Sequence, residues 1–399
     1  MRACATTCSP RARLGGRVLD GEPPSFERLV LPYDLYDDED IARRVLYVEA
    51  SRGCPFECEF CLSSLDEGVR HAPLAAFLAA MQRLLDRGAR RFKFVDRTFN
   101  LNLSVTQAIL EFFLARHRPG LALHFEMVPD RFAGGLRELV RRFPPGCLQF
   151  EVGVQTLTPH VARRIARRLD LEKLDANLRF LCTETAVHVH ADLIAGLPGE
   201  SLEEFGAGFD HLVSLGAQEI QIELLKRLRG APITRHDAAH AMRYSPEPPY
   251  EVLATRELDF ATLRRLHRFA RYWDMMANSG NFVTTLPLLW CARGGRAFTA
   301  FLEFSDWLFA RTRRAHALAL GTLMEHLFEY LTSVGGLERE PLAKQLWLDY
   351  QRGGRSDRPR FLRAYLGDLR PAHPRGFVMS GNERQQRHER RRPEDSSWR

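Results

Sequence analysis

The chain has 399 residues, 45% of them hydrophobic and 27% charged, with a formal net charge of +7. That length suits two to three domains, or one barrel with an appendage; no apolar run is long enough to cross a membrane and no secretory signal opens the chain, so the expected location is the cytoplasm. The excess charge is confined to the ends, with four Arg against one Asp in residues 1–20 and seven Arg against four acids in 371–399, which argues against a nucleic-acid groove as partner surface.

Residues 1–43 read as an irregular leader, broken by Pro23, Pro24 and Pro32 and acidic from Asp34 to Asp40. Cys4 and Cys8 within it carry no motif. Arg44 to Glu49 is a β-rich run, read as the first strand. Cys54, Cys58 and Cys61 follow, in the spacing C-x3-C-x2-C. Thiolates this close in sequence can turn onto one cluster face, and iron–sulfur clusters are held by cysteine thiolates. A zinc site is the plainer alternative, but structural zinc takes four ligands, and His71, the nearest fourth candidate, lies outside the usual short spacings. An odd number of cysteines in a chain without secretory marks argues against disulfides.

Strand and helix then alternate. Ala72 to Gly88 predicts an amphipathic helix, with Leu74, Phe77, Leu78, Met81, Leu84 and Leu85 at helical spacing. The second to sixth strands are read at 91–96, 121–127, 147–154, 187–194 and 219–225. Helices are expected at 106–117, 135–143, 161–168, 173–183 and 202–215. This order predicts a parallel sheet with crossover helices, whose working residues lie at the C-terminal ends of the strands. The fold class is α/β over residues 44–248, with an all-helical C-terminal domain over 249–368. Aromatic and leucine positions such as Trp273, Phe301, Leu323 and Trp347 read as helical packing positions. Residues 369–399 read as a disordered basic tail.

Several strand ends carry polar residues. Asp96 and Asn100 close the second strand; the plain reading is that they cap the turn and the next helix. Glu151, Gly153 and Gln155 share one face if the fourth strand stays extended. Gly196 and Gly199 follow the fifth strand, where His188 and His190 make one face polar. Cys147, Cys182 and Cys291 are isolated and read as buried thiols.

The cysteine loop resembles that of the radical S-adenosylmethionine (SAM) enzymes, and more closely the branch often fused to a cobalamin-binding domain. The resemblance covers about Arg44 to Gly230 and implies that residues 44–248 fold as a partial (β/α)6 TIM-like barrel, which the count of six strands matches. It also implies that Cys54, Cys58 and Cys61 ligate a [4Fe–4S] cluster whose fourth iron is chelated by SAM. It implies that Phe60 packs near the adenine and that Asp96 accepts from the SAM amine. Glu151 and Gln155 would bond the ribose and methionine parts, and the backbone at Gly196 would meet the adenine. Lys226 to Gly230 resembles a strand end that packs over the adenine. No residue is assigned as catalytic. Cobalamin stays an open cofactor, since its usual domain is absent from this chain; a methyltransferase borrowing it from another subunit is the rival enzyme. A non-catalytic metal-binding module is the rival outside enzymes. The expected partners are an electron donor such as a flavodoxin or ferredoxin, and a small-molecule or otherwise unknown substrate.

Overall fold

The computed structural model describes residues 13–14, 17–18, 25–26, 29–65, 68–132, 134–291, 294–355, 357–367 and 383–389. Six strands form one parallel sheet: β1 Leu46–Val48, β2 Arg91–Phe94, β3 Ala122–Met127, β4 Leu148–Gln155, β5 His188–Ala195 and β6 Glu219–Leu224. They lie side by side in chain order, and β6 does not pair with β1. This is the open (β/α)6 barrel, since parallel neighbours need a crossover and each crossover here is helical.

The pleat separates two faces. Phe92, Phe94, Phe125, Phe150, Val152, Val189 and Ile220 point outward and are buried under the crossover helices. Phe94 and Phe125 pack tilted with ring centroids 4.3 Å apart, and Phe99 stacks on Phe125 at 4.0 Å. The opposite parity carries Lys93, His124, Glu126, Glu151, His190 and Asp192. The inside of the barrel is therefore polar and charged, and its outside is the apolar core.

Three of the crossover helices start on a side-chain cap. In α2 (Leu74–Asp86) Phe77, Met81 and Leu84 face the sheet. Asn102 caps α3 (Leu103–Ala115) and Asp170 caps α6 (Leu171–Glu184), each accepting a backbone N–H in the first turn. Helices α4 (Gly134–Arg141) and α5 (Pro159–Arg164) are short. Ser201 and Glu204 form a capping box at the start of α7 (Leu202–Leu215), and Gly216 ends it in the left-handed region.

The leader departs from the irregular reading where it is described. Asp37 and Asp40 form a capping box on α1 (Asp38–Arg43). Ahead of it, the Tyr33 hydroxyl accepts from Glu49 N at 2.7 Å and lies 3.1 Å from Glu49 O. Tyr36 treats Tyr47 the same way, at 3.0 and 2.8 Å. Two phenols thus satisfy the free edge of β1 that an open barrel leaves. Cys4 and Cys8 lie outside the described residues.

Beyond the barrel the chain is helical: α8 Phe260–Trp273, α9 Ala297–Thr312, α10 Leu320–Ser333 and α11 Arg339–Arg352. A π-helical turn, Asp274–Asn278, extends α8. Its Asn278 amide accepts from Ile220 N at 2.9 Å and donates to Ile220 O at 3.1 Å, standing in for a strand on the free edge of β6. Phe298 of α9 fills the space a Cβ at Gly206 would occupy, docking the helical region onto α7. The helical region thus packs on α7 and on one end of the free β6 edge.

Two expectations fail here. Cys291 is exposed rather than buried. Part of the tail read as disordered is a helix, α12 (Glu383–Glu389), set under the barrel. Its Gln385 bonds Gln149 at 2.7 Å, His388 bonds Asn278 O at 3.1 Å, and Arg384 bonds Asp274 at 2.8 Å. The remainder, 368–382 and 390–399, lies outside the described residues.

Candidate active site

The cysteine loop leaves the C-terminal end of β1 and returns as an antiparallel pairing of Ser51–Arg52 with Arg70–His71. Gly53 makes the entry: its φ is +98°, and a Cβ there would sit 2.1 Å from Gly68 O. The middle is pinned from two sides. Glu59 N donates to Ile165 O at 3.1 Å, and Glu59 O accepts from Ile233 N at 2.9 Å. The Glu59 carboxylate, 2% exposed, pairs with Arg235 and with His236 Nε2 at 2.6 Å. Cys61 N then closes a turn onto Cys58 O at 3.0 Å.

Cys58 is buried, and Cys54 and Cys61 are half-buried. Burial pushes the Cys58 thiol up, the neighbouring thiols add to this, and Arg167 opposes it. Arg167 Nη1 lies 3.7 Å from Cys58 Sγ, and Thr98 Oγ1 lies 3.7 Å from Cys54 Sγ. Among the described residues no three His, Cys, Asp or Glu side chains converge on a single-ion position. A cluster asks for something different, because its thiolates bind separate irons. Three thiols on one pinned loop, one of them beside a guanidinium that favours the thiolate, suit that demand.

Beside the loop is a cavity of about 260 Å3 lined by Phe60, Glu151, Gln155, Asp192, Ile194 and Glu223, among others. Phe60, Glu151 and Gln155 are thus brought together. Glu151 reaches His124 Nε2 at 2.8 Å and Lys93 Nζ at 3.2 Å, both through Oε2. The His124 bond is the main cause that brings the Glu151 carboxyl down to about 2. Glu126 next to it is pushed up to about 7, first by burial and then by the Glu151 charge. Gln155 does not continue the extended strand: its φ is +73°, and the β4–β5 register shifts between Gly153 and Gln155. A Cβ on Gly153 would meet Gln155 Nε2 at 2.9 Å, and Gly153 O accepts from Arg167.

Asp96 is placed otherwise than expected. Asp96 is 1% exposed and accepts from Ala50 N at 3.0 Å and from Ser51 Oγ at 2.6 Å. Its carboxylate braces the entry to the cysteine loop instead of facing the cavity. Nor does it or Asn100 cap α3, which is Asn102's place; Asn100 ties Val128 to Arg131. The Cβ direction of Gly196, at φ +85°, is filled by Val252 and Leu263 of the C-terminal region. Arg167, Glu59, Lys93, His124 and Glu126 were not singled out from the sequence. Lys93, His124 and Glu126 carry a signal there, alternating with apolar residues along β2 and β3; Glu59 and Arg167 carry none.

A larger cavity, about 980 Å3, lies at the other end of the barrel between Val187, Gln218, Pro287 and Leu342. It adjoins the N-terminal ends of β5 and β6, where such barrels do not place their chemistry.

Residues 48–212 match the radical SAM superfamily. That stretch is a radical SAM domain. Residues 238–372 match a second family, described as a protein of unknown function, DUF4080. A radical SAM fold implies a [4Fe–4S] cluster and SAM as cofactors, and members of the superfamily are enzymes. The ribosomal protein uS12 methylthiotransferase RimO of Geobacter sulfurreducens is 26% identical over 170 residues, covering 40% of this chain and 37% of its own. An uncharacterised methyltransferase of Pyrococcus horikoshii is 26% identical over 194 residues, covering 46% of this chain and 39% of its own. The chain therefore spans well under half the length of those relatives. The solved structure of OxsB, a cobalamin-dependent SAM radical enzyme, superimposes with a TM-score of 0.52 at 14% identity, covering 94% of this chain and 62% of that one. Its likeness shows the fold. Among the described residues no helix is long and apolar enough to cross a membrane.

Proposed function

We propose that the protein is a radical SAM enzyme in which Cys54, Cys58 and Cys61 hold a [4Fe–4S] cluster and the adjoining cavity receives SAM. The observation that carries this reading is the pinned three-cysteine loop at the C-terminal mouth of the parallel barrel, next to a cavity lined by Phe60, Glu151 and Gln155. When bound and reduced, such a cluster supplies the electron that cleaves SAM to methionine and a 5′-deoxyadenosyl radical able to take hydrogen from a substrate C–H bond.

The chain's own residues bind and position. Phe60 offers the adenine an apolar face. Glu151, ionised and anchored by His124 and Lys93, accepts hydrogen bonds from the ribose hydroxyls, and Gln155 meets the methionine part. Arg167 offsets thiolate charge at Cys58; its buried Nε has no hydrogen-bond partner among the described residues and suits a carboxylate. Asp96 and Glu59 act through the loop and are positioning residues. An electron donor such as a reduced flavodoxin or ferredoxin completes the system, and methyl or methylthio transfer is the reaction class that the curated relatives favour.

Anaerobic reconstitution with iron and sulfide, followed by dithionite and SAM, tests the reading. The expected result is a brown protein that releases 5′-deoxyadenosine and methionine; a colourless protein holding stoichiometric zinc rejects it. Cys58→Ala is expected to abolish both colour and SAM cleavage while the far-UV circular dichroism is retained. Cleavage persisting in that variant contradicts the ligand assignment.

A further inference from the structure

The inner face of the barrel continues past β6. Gln221, Glu223, Leu224 and Lys226 line the cofactor cavity and also a second chamber of about 350 Å3. The far wall of that chamber is Glu251 together with His267, Arg271 and Asp274 at the C-terminal half and end of α8. The two chambers thus share a wall, and the C-terminal domain supplies the outer part of the second.

The edge of β6 is unfinished along this chamber. Leu225 N bonds Ala195 O of β5, whereas Ile220 N and O bond Asn278, so even-numbered residues of β6 present their peptide groups to the free edge. Asn278 satisfies Ile220 at one end. A backbone bond from Val252 N to Leu225 O and a bridge between Lys226 and Glu251 close the other. Ile222, between them, lines the chamber, and among the described residues no strand lies beside its N–H and C=O. Buried peptide groups are rarely left without a partner, and a strand edge facing a polar cavity is a ready hydrogen-bonding surface.

The charges around it sort into committed and uncommitted groups. Lys226 pairs with Glu223 at 2.8 Å, and Arg384 pairs with Asp274 at 2.8 Å. Glu251 and Arg271 have no side-chain partner among the described residues. Both act on the His267 imidazole: burial is the first cause that lowers its proton affinity, Glu251 raises it and Arg271 lowers it. One uncommitted anion and one uncommitted cation thus face a common imidazole across a polar chamber.

We propose that this chamber is the substrate site, and that it takes an α-amino acid or close derivative whose carboxylate pairs with Arg271 and whose ammonium pairs with Glu251. The unfinished edge at Ile222 adds hydrogen bonds to the same ligand, and the ligand's side chain points through the shared wall toward the cofactor cavity. The assignment of a substrate role rests on the radical SAM reading of that neighbouring cavity; the ligand class does not. Opposite charges on two walls of one chamber recognise a zwitterion and leave a simple acid or a simple amine with one charge unpaired.

Equilibrium dialysis with each of the twenty common L-amino acids, on the apoprotein and on reconstituted protein saturated with SAM, tests this. At least one amino acid is expected to bind both forms, since SAM occupies the other chamber. For that amino acid, Arg271→Ala and Glu251→Gln are each expected to weaken binding at least tenfold, and Arg271→Lys to restore part of it. Its N-acetyl and carboxamide derivatives are expected to lose at least tenfold as well. Binding of none of the twenty, binding displaced by SAM, or binding indifferent to both variants overturns the proposal. A protein that binds the amino acid yet never cleaves SAM upholds the zwitterion site and rejects the radical SAM reading instead.

Discussion

Glu59 sits between two ligand cysteines of the proposed cluster, yet its side chain turns away from them. Its carboxylate is 2% exposed and joins Arg235 and His236, whose side chains are 62% and 14% exposed. Glu59→Ala removes both bonds while leaving the backbone bonds to Ile165 and Ile233 available. A hydrogen bond to a charged group contributes about 1.5–3 kcal/mol, which applies to the shielded His236 contact. The Arg235 contact is largely solvated and adds about 0–1 kcal/mol. The loop should therefore lose about 1.5–4 kcal/mol of local stability, roughly a 12- to 700-fold rise in its opening equilibrium at 1.4 kcal/mol per decade. Hydrogen exchange at the Glu59 and Cys61 amides reads this directly, since both donate to backbone carbonyls. Iron content after reconstitution should fall in parallel, whereas exchange in α7, on the far side of the barrel core, should not change. Unaltered exchange at both amides would refute the anchor, and Glu59→Gln, which keeps one acceptor, should fall between wild type and Ala.

Two further predictions concern carboxyls on or near the barrel strands. Asp96 is pushed up to about 6, first by burial, with its bonds to Ser51 and Ala50 opposing. A folded value above the unfolded one means stability that is present below about pH 4 and lost as pH rises through about 6. From the shift this amounts to about 3 kcal/mol at most. Asp96→Asn should flatten this segment of the urea-unfolding pH profile; an unchanged slope would remove Asp96 as its source. Glu126, held at about 7 by burial and by Glu151, should titrate near neutrality in carboxyl-selective NMR or difference infrared spectra. Glu151→Gln removes the like charge and frees Lys93, so the Glu126 midpoint should fall, and a midpoint that rises would contradict the network.

The β-strands and α7 were legible because their signals are local. Outward phenylalanines alternate with polar residues in β2 and β3, and Ser201, Glu204 and Gly216 mark both ends of α7. Asp96 was misread for a physical reason. A strand-end carboxylate needs donors, and a ligand amine or the chain's own Ala50 N and Ser51 Oγ serve equally well. Those donors lie some 45 residues away, so only the folded chain decides between them. Gln155 was placed on the Glu151 face by assuming an unbroken period of two; the bulge at Gly153 breaks that period, and the left-handed turn at Gln155 returns its side chain to the cavity.

The tail helix shows where composition misleads most. Arg384 to His388 contains no apolar side chain, so nothing in it asks for burial, and a solvated reading follows. That inference assumes the receiving surface is apolar. The floor of this barrel is not: Gln149, His188 and Glu219 project from the inner faces of β4, β5 and β6 and are all buried. Left bare, they would present a wet, charged opening beneath the cofactor cavity. Gln385 meets Gln149, Arg384 lies 3.4 Å from Glu219, and His388 packs on His188 with ring centroids 5.4 Å apart. A barrel with a charged interior needs a polar stopper, and a peptide rich in Arg, Gln and His satisfies those groups where leucines would strand them.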